Sequence, residues 1–211
     1  MSKFKAIFFD NDGLLVDTES LYYEATKEIL DTIGIDIPLD WYKRALEVGN
    51  SAFKFAEARG VSQEETERLR AVRNTRYNEM LSGLKPIDGV VDILKQLQGK
   101  VFMAIVTNSR KTHFETIMRE TGLRQYFDYC VTTNEVPRSK PYPDPYLFAL
   151  EQTHQEASHS LSVEDSGRGV TSAKAAGLTC YAIPDALTRS HDFSKADKIL
   201  SSIRELPELV L

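Results

Sequence analysis

The sequence predicts an α/β protein, a doubly wound parallel sheet interrupted by an inserted set of helices. Three observations carry this prediction. Short apolar runs recur without polar alternation, as in strands covered on both faces. The segments between them show helical spacing and stop at glycine. One stretch, residues 18–84, carries only helical signals and far exceeds the length of a normal βα crossover.

Residues 5–9 (KAIFF), 101–106 (VFMAIV), 129–131 (YCV), 160–163 (SLSV) and 179–183 (TCYAI) read as strands, with a weaker one at 198–200. Between them, Val90, Val91, Leu94 and Leu97 repeat at helical spacing up to Gly99. Phe114, Ile117, Met118 and Thr121 do the same up to Gly122, and the small-residue-rich segment 167–176 ends at Gly177. Within the long helical stretch, Leu21, Tyr22, Ala25, Ile29 and Ile33 form an apolar stripe ending at Gly34. Ser62 and Glu65 read as a capping box that opens a long helix carrying Leu69, Val72, Tyr77 and Met80. Linkers are expected at residues 14–18 and at 82–88, the latter with Gly83 and Pro86. The chain thus divides into a core of residues 1–14 and 85–211 and a helical cap subdomain of residues 15–84. There is no internal repeat and no low-complexity segment.

Composition narrows the function. The 211 residues include 26 Lys and Arg against 31 Asp and Glu, a formal net charge of −5. Such a surface repels phosphate backbones, so a nucleic-acid partner held by bulk electrostatics is not expected. A chain of this length buries roughly 70% of its unfolded surface and needs no disulfide or structural metal. Cys130 and Cys180 read as buried thiols of a reducing compartment. No signal-peptide pattern and no membrane-length apolar stretch is visible, so a soluble, cytoplasmic protein is expected. No feature identifies a protein partner.

In open α/β sheets ligands bind beyond the carboxyl ends of the strands. Asp10-Asn11-Asp12-Gly13 follows the first strand and Thr107-Asn108-Ser109 the second. A loop with Arg138, Lys140, Pro141, Pro143, Asp144 and Pro145 follows the third, and Glu164-Asp165-Ser166 the fourth. Acids, a hydroxyl and a lysine converging at one sheet end suit a divalent metal and a phosphoryl group. A phosphate dianion repels an approaching carboxylate, so an aspartate nucleophile needs a bridging cation. Mg²⁺ prefers hard oxygens and binds through one or two carboxylates plus phosphate. A second carboxyl two residues along reaches the same side only if the chain turns, which Gly13 permits.

The segments D-N-D-G-L-L-V-D-T-E (residues 10–19), Thr107-Asn108-Ser109, Lys140-Pro141-x-Pro143-Asp144-Pro145 and Glu164-Asp165-Ser166-x-x-Gly169 resemble, in order, the four motifs of the haloacid dehalogenase-like hydrolase superfamily. The resemblance spans essentially the whole chain. It is nearest to the branch that holds β-phosphoglucomutase and small sugar-phosphate phosphatases, with a helical cap between motifs one and two. It implies Asp10 as nucleophile forming an aspartyl-phosphate and Asp12 as general acid and base, its backbone carbonyl also on Mg²⁺. Thr107 and the Asn108 backbone would hold phosphoryl oxygens, and Lys140 would neutralise nucleophile and phosphate. Asp165 would complete the metal shell with Asp10, Glu164 joining directly or through water.

The implied activity is Mg²⁺-dependent hydrolysis of a small phosphorylated metabolite, with a sugar phosphate as the expected class. A phosphomutase and a non-catalytic phosphometabolite-binding protein are the alternatives. β-Phosphoglucomutases carry a cap histidine where this sequence has Tyr22, which favours water as the final acceptor. Glu19, Tyr22, Tyr23, Lys43, Arg44 and Asn50 are the cap candidates for specificity, while Asp17, Thr18 and Glu19 also read as a helix N-terminus. The four histidines show no ligand spacing and are assigned no role.

Overall fold

The computed structural model describes residues 4–211, so the first three positions of the core segment lie outside it. Strands β1 (Ala6–Phe9), β2 (Phe102–Val106), β3 (Tyr129–Val131), β4 (Ser160–Glu164), β5 (Thr179–Ala182) and β6 (Lys198–Ile199) pair in the order β3-β2-β1-β4-β5-β6. Every pairing is parallel, with Phe8 opposite Ala104 on one side and Ser162 on the other. Each run begins or ends within a residue or so of its sequence expectation. Unbroken hydrophobicity marks buried parallel strands well, and their ends poorly.

Alternation along β1 splits the core into two layers. Ile7 and Phe9 join Met103, Ile105 and Val163 under α5 (Val90–Leu97), α6 (Lys111–Thr121) and α9 (Leu206–Val210). Ala6 and Phe8 face the opposite way, with Val106 and Ala182, against α7 (Asp144–Thr153) and α8 (Gly167–Ala175). Helices on both faces make the sheet doubly wound.

Helices α1 (Thr18–Asp31), α2 (Leu39–Val48), α3 (Lys54–Glu57) and α4 (Gln63–Met80) stand between β1 and α5. They bury an apolar cluster of their own, with Leu30, Ile37, Phe53 and Leu69 at its centre. Ala25, Tyr77 and Leu81 instead join the sheet's cluster, so the insertion is seated on the core through the facing sides of α1 and α4. The two connecting segments run together, with Val16 bridged to Pro86 and the Ile87 N–H donating to the Leu15 carbonyl at 2.9 Å.

Four local readings need correction. Ile33 is 37% exposed, because α1 ends at Asp31 and Ile33 sits in the following turn. Val72 lies on the outer side of α4, 43% exposed. The capping box is only half formed. The Ser62 hydroxyl accepts from the Glu65 N–H at 3.2 Å, but the Glu65 carboxylate turns to Arg68 at 2.6 Å. Cys180 is buried, whereas Cys130 lies on the edge strand β3 and is half-buried. No helix among the described residues is long and apolar enough to cross a membrane.

Candidate active site

The strand order reverses between β1 and β4, and the chain leaves both strands into acids. Asp10 follows β1, Glu164 ends β4 and Asp165 comes next, which is where an open α/β sheet offers its crevice. The three carboxylates are buried, with one oxygen from each within 4.8 Å of the others. Burial pushes the Asp165 carboxyl well up, and the neighbouring Asp10 and Glu164 push it further. Burial likewise raises Glu164, against the pull of Lys140. Three crowded acids of this kind call for a cation.

Lys140 supplies one. Its ammonium, 3% exposed, lies 3.0 Å from Asp10 Oδ1 and 2.6 Å from Glu164 Oε1, and donates to the Val106 carbonyl at 2.7 Å. Burial alone would discharge it, yet the two carboxylates hold it firmly protonated. The Asn108 amide fixes the lysine's backbone, accepting from its N–H at 2.9 Å and donating to its carbonyl at 3.1 Å. Tyr146, buried on α7, donates its hydroxyl to the same Glu164 Oε1. Glu164 Oε2 is buried without a partner among the described residues. An orphaned carboxylate oxygen among hard oxygen donors fits a hard divalent metal ion.

Gly13 makes the turn that brings Asp12 back over the sheet end. At φ +78° it occupies the left-handed region, and a Cβ there would overlap the Asp165 carboxylate. Only glycine meets both demands. Asp12 is then held by three hydroxyls, with Thr18 donating to Oδ1 at 2.5 Å and Thr107 and Ser109 donating to Oδ2 at 2.8 Å each. The Thr107 hydroxyl in turn accepts from the Ser109 N–H at 2.9 Å. Gly169 clears space in the same way, because a Cβ there would overlap Glu164, so α8 packs directly against that acid. Asp17 caps α1 by accepting from the Ser20 N–H at 3.3 Å, placing Thr18 and Glu19 in the helix's first turn.

The structure therefore brings Asp10, Asp12, Thr107, Asn108, Lys140, Glu164 and Asp165 together, and Asp12 faces hydroxyls while the other three acids face one another. Of these, Asp10, Asp12, Asn108, Lys140 and Asp165 form the floor of a cavity of about 410 Å³, whose remaining walls come from α1, α2, α4, α6 and α8 and from loop residues such as Ser51, Thr188 and His191. Of the cap candidates, Glu19, Tyr22 and Asn50 line it. Tyr23 donates to the Ile37 carbonyl instead, and Lys43 and Arg44 lie outside the cavity walls. Burial, with Asp12, Asp185 and Asp10 nearby, lifts Glu19 to about 8, and Tyr42 donates to it at 3.4 Å.

Sequence reasoning missed several wall residues. Arg70 and Arg73 enter from α4, and Arg168 from α8, where it donates to the Lys140 carbonyl. Two histidines assigned no role also line the cavity. His113 stacks edge-on with Tyr77, while His191, 6% exposed, accepts from the Gly167 N–H through Nδ1 at 3.4 Å. Their partners come from distant segments, so sequence spacing held no trace of them.

Known proteins agree with this architecture. Protein CbbY of Rhodobacter capsulatus is 30% identical over 92% of this chain and 91% of its own. Fructose-1-phosphate phosphatase YqaB of Escherichia coli is 27% identical over 83% of this chain and 94% of its own. The structure of CbbY from Rhodobacter sphaeroides in complex with xylulose-(1,5)bisphosphate superposes with a TM-score of 0.82 at 25% identity, covering 99% of this chain and all of that one. A family model described as haloacid dehalogenase-like hydrolase matches residues 7–183, and the chain belongs to that family.

Proposed function

We propose that the protein is a Mg²⁺-dependent phosphatase that hydrolyses a small phosphorylated carbohydrate through an aspartyl-phosphate on Asp10. The observation that carries this reading is the pairing of two different carboxylate environments at one sheet end. Asp10 lies against a protonated lysine inside an acid cluster, while Asp12 stands beside it among hydroxyls. Relatives named for fructose 1-phosphate and solved with a xylulose bisphosphate support the substrate class.

In this reading residues 1–14 and 85–211 are the catalytic core and residues 15–84 the cap. Asp10 attacks phosphorus in line, and the bond from phosphorus to the ester oxygen breaks. Asp12 delivers a proton to that departing oxygen. Asp12, now ionised, takes a proton from water as the water attacks the aspartyl-phosphate. The bond from phosphorus to Asp10 then breaks, and inorganic phosphate leaves. Lys140 offsets negative charge on Asp10 and on the phosphoryl group, while Thr107 and the Asn108 backbone hold phosphoryl oxygens. Asp10, Asp165, Glu164 and the Asp12 carbonyl would hold Mg²⁺, which when bound neutralises phosphoryl oxygens that the carboxylates would otherwise repel. Tyr22 packs edge-on against Tyr77 with Arg73 over its ring, so the position filled by histidine in phosphomutases offers no imidazole for returning the phosphoryl group.

The test is hydrolysis of p-nitrophenyl phosphate. Turnover should require Mg²⁺, stop with EDTA, and fall by at least about a thousandfold in Asp10→Asn with the circular dichroism spectrum unchanged. Full activity in that variant would sink the mechanism. An absence of turnover in the wild-type protein across a panel of phosphorylated carbohydrates would leave the non-catalytic binding reading.

A further inference from the structure

We propose that His113 is a ligand-binding residue whose imidazole meets a hydroxyl of the substrate, close to the ester oxygen that Asp12 protonates. The inference rests on the phosphatase reading for the phosphoryl group and concerns what selects the group attached to it.

Two imidazoles line the cavity, and their surroundings differ. His191 is packed as part of the wall. Its Nδ1 accepts from the Gly167 N–H, its ring stacks with Phe193, and its Nε2 is buried out of a ligand's reach. His113, in the first turn of α6, is half-buried and makes no hydrogen bond or ion pair among the described residues. Tyr77 of α4 holds it instead, with ring centroids 5.2 Å apart and planes 65° from parallel. The ring is thus placed by packing, and its hydrogen-bonding capacity is left unused.

The neighbouring groups decide what the ring can take. Burial, and after it the charges of Arg110 and Arg73, favour the neutral imidazole against the pull of Asp12. A neutral imidazole carries one N–H donor and one bare acceptor nitrogen. The polar groups nearby are already engaged. Asp12 accepts from Thr18, Thr107 and Ser109, while Arg73 donates to Thr26 Oγ1 at 3.0 Å and Asn74 Oδ1 at 3.1 Å. The fitting partner is a group that both donates and accepts, which describes a hydroxyl. A carboxylate or phosphoryl oxygen only accepts, and would set negative charge against the bare nitrogen. Because Asp12 acts on the ring from within the same cavity, the hydroxyl lies near the oxygen that Asp12 serves. The substrate class is therefore a phosphate ester of a polyol with a hydroxyl beside the phosphorylated carbon, and plain alkyl esters are disfavoured.

The test compares glycerol 3-phosphate with n-propyl phosphate, which share a three-carbon chain and differ in their hydroxyls. The wild-type protein should prefer glycerol 3-phosphate in kcat/KM. His113→Phe keeps a ring against Tyr77 and removes both nitrogens, so it should cut that preference by at least about fivefold, mainly through KM. His113→Gln, with an amide donor and acceptor, should keep part of it. A role confined to packing on Tyr77 predicts an unchanged preference in His113→Phe. Thermal unfolding identifies a variant that fails to fold, and His113→Leu then replaces it. Calorimetric titration of Asp10→Asn, with and without His113→Phe, reads the same pair without turnover. A binding preference that His113→Phe removes, in a protein whose wild-type form hydrolyses neither ester, overturns the phosphatase reading alone. No preference by either measure, or one untouched in His113→Phe, overturns the assignment of His113.

Discussion

The floor and the roof of the cavity are built to different standards. On the floor, Lys140, Asp12 and Asn108 are each held by more than one contact, and among the acids' oxygens only Glu164 Oε2 is buried without a partner among the described residues. Lys140 makes three short contacts, Asp12 accepts three hydroxyls, and Asn108 grips the lysine's backbone from both sides. On the roof, Arg70 Nε has no partner among the described residues, and Glu19 has a single long hydrogen bond among them. The difference teaches where each task resides. In the proposed mechanism, bond-making at phosphorus tolerates little misplacement, so its groups are held before any ligand arrives. Under the same proposal, selection among ligands needs donors left open for the ligand to satisfy, and such an open donor sits on the inserted helices.

Substitutions can break or sharpen this contrast. Asp12→Asn should strike hardest, lowering kcat for p-nitrophenyl phosphate by about 10²- to 10⁴-fold. Steady-state kinetics with near-normal activity would show that the three hydroxyls hold a bystander. Tyr146→Phe removes one donor from Glu164 and should weaken Mg²⁺ binding about 10- to 100-fold by calorimetric titration. Unchanged affinity would place the tyrosine outside the floor's support.

The roof answers to pH instead. Glu19, raised from 4.5 to about 8, keeps a proton in the metal-free folded protein that the unfolded chain has released. Between about pH 4.5 and 8 the native state therefore binds the extra proton, and stability declines as pH rises through that window. Glu19→Gln should flatten this decline in thermal unfolding between pH 5 and 8; parallel slopes for the two proteins would refute the assignment. Ser62→Ala, which only uncaps α4, should cost about 1 kcal/mol and lower Tm by a few degrees, with kcat for p-nitrophenyl phosphate unaltered.

The sheet was legible because strands covered on both faces betray themselves as unbroken apolar runs. The floor was legible because its residues cluster in four short motifs within the segments that follow strands β1 to β4. Other features hid for physical reasons. The run Pro141-Tyr142-Pro143-Asp144-Pro145 reads as a loop, yet Pro143 caps α7 and Pro145 sits in its first turn, where a missing N–H costs nothing. Tyr146 was concealed with it. Arg70 and Arg73 could not be separated from Arg68 and Arg76 by pattern, because α4 is polar around most of its circumference and only its docking against α1 decides which side faces inward. Glu65 looked like half of a capping box until Arg68 offered a stronger partner.

Thr18 belongs to two neighbourhoods at once. It opens α1, the first helix of the insertion, and its hydroxyl reaches Asp12 Oδ1 on the sheet side of the paired connecting segments. Any tilt of α1 away from the sheet stretches that bond before it disturbs Asp10, Lys140 or the acid cluster. In the proposed mechanism the proton-handling carboxylate is thereby wired to the posture of the inserted helices, while the proposed nucleophile is not. An enclosure seated wrongly over a poor ligand would leave Asp10 fully armed and Asp12 short of one donor, so the proton transfer would falter before the attack did.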